Sequence, residues 1–148
     1  MLKRSVYTLL ACALCAVASV APALADISGG AGIITQSGGG SSSTGPAVFL
    51  SSGKSVPIVP ASVDVTGLLP LGGKGGYAVT LEGRVGAAGI YGGAGYGIGQ
   101  LGGAQSTGVF TAFVGTKVAP LTSVELRGYK ASGNNGASAA FIGVRFSI

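Results

Sequence analysis

The last eight residues constrain the fold more than any other stretch. Across residues 141–148, Ile142, Val144, Phe146 and Ile148 alternate with Phe141, Gly143, Arg145 and Ser147. A period of two is that of a β-strand, whose successive side chains point to opposite faces. The chain therefore ends in a strand with one apolar side, and its single charge lies on the other.

The same division recurs upstream. Residues 76–86 set Tyr77, Val79, Leu81 and Val85 against Ala78, Thr80, Glu82 and Arg84. Residues 108–118 set Phe110, Ala112, Val114 and Val118 against Thr111, Phe113, Gly115 and Lys117, and residues 122–131 set Val124 and Leu126 against Glu125, Arg127 and Tyr129. Between them, residues 90–101 carry Gly93, Gly95, Gly97 and Gly99 on one face. Glu82, Arg84, Lys117, Glu125, Arg127 and Arg145 all lie opposite the apolar residues; Lys130 is the exception, at a strand end where its long stem can snorkel to water. On the lipid face of a membrane barrel, Arg or Lys costs about 2–4 kcal/mol near the midplane. The segregation suits such a barrel, with these six charges as structural groups in its lumen.

A membrane barrel needs an exported chain. Met1, Leu2, Lys3 and Arg4 form a basic start, residues 6–20 are apolar, and Ala23-Leu24-Ala25 is an A-x-A cleavage site before Asp26. The apolar run ends at Pro22, short of the about 20 residues that a membrane anchor needs. A lipoprotein reading at Cys12 leaves too short an apolar region before it. Residues 1–25 are thus expected to be a signal peptide for the Sec pathway, and residues 26–148 one domain.

Both cysteines, Cys12 and Cys15, leave with the signal, so the processed chain has no disulfide and no thiol chemistry. With no His anywhere, imidazole-based triads are excluded. Acids beyond residue 25 are Asp26, Asp64, Glu82 and Glu125. Glu82 and Glu125 each have an arginine two residues on, along the same face, which points to ion pairing rather than acid–base catalysis. Gly97-Ile98-Gly99-Gln100-Leu101-Gly102 fits a dinucleotide fingerprint but opens no helix. No metal-ligand spacing occurs. The expectation is a protein that is not an enzyme and takes no cofactor or metal. Losing Lys3 and Arg4 would bring the formal charge from +5 to +3, with the remaining cations scattered and no stripe for nucleic acid.

The first half is harder to divide. All 29 glycines lie beyond residue 25. Residues 27–35, 47–51 and 55–66 read as strands, the last with Val59, Ala61, Val63 and Val65 outward and Asp64 inward. Pro60 opposes its early part, since a closed sheet needs each N–H; residues 56–60 are then irregular and the strand starts near Ala61. Residues 37–45, low-complexity serine and glycine, read as a mobile loop or linker. Longer connections are expected at 37–45, 67–75, 102–107 and 132–137, shorter ones near Gly53, Ala87-Ala88 and Ala119-Pro120. That makes eight strands, with both termini at one end. If the last hairpin turns at Asn134-Asn135, Glu125 falls opposite Arg145 and Arg127 opposite Gly143.

From Gly108 to Ile148 the chain resembles the last three strands of opacity-protein and OmpA-type outer-membrane barrels. The resemblance rests on Val118-Ala119-Pro120-Leu121-Thr122, on Ser123-Val124-Glu125-Leu126-Arg127-Gly128-Tyr129 and on the terminal strand; Ile90-Tyr91-Gly92-Gly93-Ala94-Gly95-Tyr96-Gly97 looks like a further strand of that family. Gly143, Phe146 and Ile148 fill the places of the family's C-terminal assembly signal. The resemblance implies an all-β fold, an eight-stranded antiparallel up-and-down transmembrane β-barrel in the outer membrane of a Gram-negative bacterium. It implies the lipid bilayer and the barrel-assembly machinery as partners. A monomer with a filled lumen and a structural or surface-adhesive role is expected, and the sequence names no extracellular ligand. Two other readings fit the alternation: an exported glycine-rich β protein forming a surface fibre, and a soluble periplasmic β-sandwich with the apolar face as its core.

Overall fold

The computed structural model describes residues 26–56, 59–103, 105–133 and 136–148. The expected signal, with Ala23 and Ala25, lies outside the described residues, as do Asn134 and Asn135.

Eight strands follow one another: β1 (Asp26–Gly38), β2 (Ser41–Ser55), β3 (Ala61–Pro70), β4 (Tyr77–Ala87), β5 (Ile90–Gln100), β6 (Thr107–Ala119), β7 (Thr122–Ala131) and β8 (Ser138–Ser147). Each pairs antiparallel with the next, and β1 pairs with β8, so the sheet closes into a barrel. Closure removes both sheet edges, which is the condition for crossing lipid with strands. It also corrects the fibre reading, because no edge is left on which further strands could add.

The apolar faces point outward. Ile33, Ile142, Leu126 and Val114 form one row of cross-strand partners over β1, β8, β7 and β6, and all four are exposed. Leu81, Val85, Ile98 and Phe110 are exposed likewise, and the Tyr96 and Phe110 rings lie against one another on the outer wall, 4.7 Å apart. An apolar belt outside and charges within invert a soluble fold. The sandwich reading, which needs the apolar face as core, is therefore corrected too.

From β4 onward the strand faces match the alternation residue by residue. The first half departs from it. Residues 37–45 do not form a loop: β1 runs on to Gly38, and β2 begins at Ser41. Gly39 and Gly40 make the turn with φ of 62° and 77°, the conformation that two-residue hairpins require. Serine and glycine have no side-chain pattern to betray a strand, but here their backbone groups are paired by β1. Gly53, expected at a short connection, lies within β2, and β3 extends past Gly67 to Pro70. Of the two readings for residues 55–66, the later start is the one found, at Ala61.

Two prolines sit in this closed sheet. Leu71 donates its N–H to the Pro46 carbonyl at 2.8 Å, so Pro46 faces β3. There the paired register begins at Ala47 and Pro70, so the missing N–H forfeits one bond at the end of the ladder and does not interrupt it. Pro70 faces β4, beyond the ladder's end at Leu68 and Ala78.

Candidate functional site

The lumen is where chemistry could reside. In cross-section it has three zones, set by the residues that the inward parity delivers. Towards the end opposite the termini, Ile34, Ala47, Leu68, Ala78, Leu101, Val109, Ala137 and Phe141 form an apolar plug. Connections fold over it: Gln36 Nε2 donates to the Gly75 carbonyl at 2.9 Å, and Lys74 Nζ donates to the carbonyls of Gly38 and Ser41 at 2.5 and 3.1 Å. Leu101 and Ala137 are fully buried beneath.

The middle zone holds the charges. Arg127 donates through Nε to Glu125 Oε1 and through Nη1 to Glu82 Oε1, the latter at 2.7 Å. Glu82 also accepts from Thr80 at 2.7 Å and from Thr66 at 3.0 Å, and Thr66 is bonded to Ser51 at 2.9 Å. Glu125 Oε2 accepts from the Tyr91 hydroxyl at 2.8 Å and from Arg145 Nη1 at 3.3 Å. Arg84 faces Asp64 at 2.9 Å. Three acids thus balance three arginines, as buried charge demands.

Neighbouring strands shape this zone. Glu125 is flanked by Gly115 on β6 and Gly143 on β8, whereas Arg127 is flanked by Phe113 and Phe141. The Arg127 guanidinium lies 4.5 Å from the Phe113 ring centre and 5.3 Å from that of Phe49, where aromatic faces attract a cation. Glycines make the space: Gly93 and Gly95 stand opposite Arg84 and Glu82, and a Cβ at Gly95 would come within 2.8 Å of Glu82 Cγ.

The third zone is open. At the end bearing Asp26 and Ile148, a vestibule of about 620 Å³ is lined by Asp64, Arg84, Tyr91, Lys117, Ser123 and Arg145 among others. Asp26 there accepts from Ser55 at 3.0 Å.

The structure therefore brings Glu82, Glu125, Arg127 and Arg145 into one network and sets Arg84 beside it on Asp64. Lys117 shares their parity but is exposed at the vestibule rim, after which β6 bulges towards Ala119. The last hairpin's register differs by two from expectation: Glu125 lies opposite Gly143, and Arg127 opposite Phe141. Because side chains repeat every second residue, this slip keeps every face, and Arg145 still reaches Glu125 diagonally. Tyr91, Thr66, Thr80 and the ion-paired role of Asp64 were missed; Gly53 opposite Asp64 was the available signal, since a Cβ there would fall on Asp64 Oδ1. On β8, Gly143 is buried and Phe146 is exposed on the outer side; Ile148 follows the strand and is exposed. Among the described residues, no group of three or more metal-ligating side chains converges.

No family model and no curated protein matches the sequence. Solved structures do match the fold. Neisserial surface protein A, NspA, aligns with a TM-score of 0.62 at 15% identity, over 83% of this chain and 95% of NspA. Ail, the attachment invasion locus protein of Yersinia pestis, aligns with a TM-score of 0.55 at 12% identity over 83% of this chain and 97% of Ail. A second Ail structure, in complex with the heparin analogue sucrose octasulfate, aligns with a TM-score of 0.54 at 13% identity over the same shares. With a closed eight-stranded ring and an apolar outer wall, the chain has the fold of the small outer-membrane β-barrels.

Proposed function

We propose that this chain is a monomeric outer-membrane barrel of a Gram-negative cell, with a filled lumen and a structural role. The observation that carries the reading is the apolar outer wall around a charge-balanced interior. In this reading the Sec pathway exports the chain, residues 1–25 are cleaved after Ala25, and Gly143, Phe146 and Ile148 present β8 to the barrel-assembly machinery. The termini face the periplasm. Arg127 and Glu82 then hold opposite walls of the barrel together, Asp64 with Arg84 and Glu125 with Arg145 join neighbouring strands, none of them acts on a substrate, and Lys117 marks the periplasmic rim.

A surface-adhesive role is the second reading. NspA is a surface protein and Ail an attachment protein, which supports it. Here the outward end offers a two-residue turn at Gly39-Gly40 and connections at 71–76, 101–106 and 132–137. The β1–β2 hairpin adds a hydroxyl row of Thr35, Ser37, Ser42 and Thr44, with Thr35 and Thr44 bonded at 2.9 Å.

Envelope fractionation tests the first reading. A band in the outer-membrane fraction that shifts mobility on boiling is the expected result, and a soluble periplasmic protein would overturn it. Adhesion of cells displaying the chain to an epithelial layer, lost on Ser37→Ala with Ser42→Ala, would assign the second role to the hairpin.

A further inference from the structure

Two lumen arginines line the open vestibule and hold buried donors without partners. Arg145 has a side chain only 5% exposed, yet it lines the cavity. Its one bond is the 3.3 Å contact to Glu125 Oε2, an oxygen already taken at 2.8 Å by Tyr91. Its Nε has no partner among the described residues. Arg84 sits 2.9 Å from Asp64, but neither its Nε nor its Nη2 makes an aligned hydrogen bond. Buried polar groups left without partners are uncommon in folded proteins. The two guanidinium groups line the same cavity as like charges.

Lys117 adds a third cation at the rim, and Ser28 and Ser123 add hydroxyls to the lining. Opposing them are Asp64, which faces Arg84, and Asp26, which is held by Ser55. Asp64 thus answers one of the two arginines, while Arg145 shares Glu125 with Arg127 and Tyr91.

We propose that this vestibule binds a small soluble oxyanion of the phosphate class. With a small turn towards the cavity, the unpartnered donors of Arg84 and Arg145 would meet its oxygens, and its charge relieves their mutual repulsion. The barrel wall separates the cavity from the bilayer, so a soluble anion enters from the open end, whereas a lipid headgroup would have to leave its leaflet. That this end faces the periplasm rests on the function proposed above; the pocket itself does not.

The chain suits a direct test, because Arg84, Arg127 and Arg145 are its only arginines beyond residue 25. The full chain, expressed for export, extracted in a maltoside detergent and shown closed by its heat shift, would be labelled with nitrogen-15. The arginine Nε–H signals are then followed while inorganic phosphate is added at constant ionic strength. Saturable shifts of Arg84 and Arg145, with Arg127 unmoved, are the expected result. Lys117→Gln, at an exposed rim position, should weaken the apparent affinity roughly fivefold, as loss of one solvated charge contact would, without altering the heat shift. Three signals drifting together without saturation, or an unchanged affinity in the Lys117→Gln protein, would overturn the site. Saturation by added phosphatidylglycerol but not by phosphate would overturn the soluble-anion assignment. Since closure is read on the gel, failure of the site is distinguishable from failure of the barrel reading.

Discussion

Arg127 on β7 and Glu82 on β4 form an ion pair at 2.7 Å across the lumen, between strands that are not neighbours in the wall. Hydrogen-bond ladders tie each strand only to the next. This pair ties one side of the ring to the other, and Arg127 joins Glu125 to it.

Replacing Arg127 with Met should therefore be severe. It leaves Glu82 and Glu125 as buried acids without their principal partner, a change that costs about 3–5 kcal/mol. Urea unfolding of the barrel in micelles checks it. Arg127→Met combined with Glu82→Gln should cost less than the sum of the two single changes; simple additivity would place the pair outside the stabilising network.

Glu125→Gln should lower the unfolding midpoint more than Arg145→Gln does. Glu125 serves Arg127, Tyr91 and Arg145 at once, whereas Arg145 has the single long contact. The reverse order in the same unfolding assay would contradict this ranking.

Ile142 occupies the outward row between Ile33 and Leu126. Ile142→Arg should cost about 2–4 kcal/mol if the row lies near the bilayer midplane. The expected readout is loss of the heat-modifiable band in membranes. Ser147→Arg, beyond the belt and near the rim, should leave the band intact.

Phe146 points out of the barrel and is exposed. Phe146→Ala should leave refolding in detergent within about 0.5 kcal/mol of the parent, as surface changes usually do, while reducing the yield in cells. Equal yields would remove Phe146 from the assembly signal.

Ala88 has φ of 53° in the turn between β4 and β5, next to Gly89 at 84°. A left-handed conformation costs an L-residue with a Cβ about 1–2 kcal/mol. Ala88→Gly should raise stability by about 1 kcal/mol, measured as an upward shift of the urea midpoint. No gain would mean that the relaxed turn differs from the one described.

The second half of this barrel was legible because its residues carry contrast. Glu125, Arg127 and Tyr129 alternate with Val124 and Leu126, and β7 spans Thr122–Ala131, the residues the alternation marked. Residues 41–45 carry none: Ser, Ser, Ser, Thr and Gly look alike on either face, and only pairing with β1 makes them a strand. The network was legible in part for a related reason. Parity tells which side of the wall a charge occupies, but not its height along the strand, so Glu125 and Arg145 were expected opposite one another and are instead diagonal. Asp64 was the only charged residue in its segment, and its partner Arg84 comes from the strand next to it.

The pairing of β1 with β8 brings the first and last described residues together, with Ile148 donating its N–H to the Ile27 carbonyl at 2.9 Å. No ring can form before its last strand exists. A partly synthesised chain has two raw edges and nowhere to complete them, so it cannot fold progressively from its beginning as a string of domains can. Until β8 is in place, the open sheet must be kept from pairing with its neighbours. Timing is thereby written into the topology: the ring is sealed only when β8 meets β1.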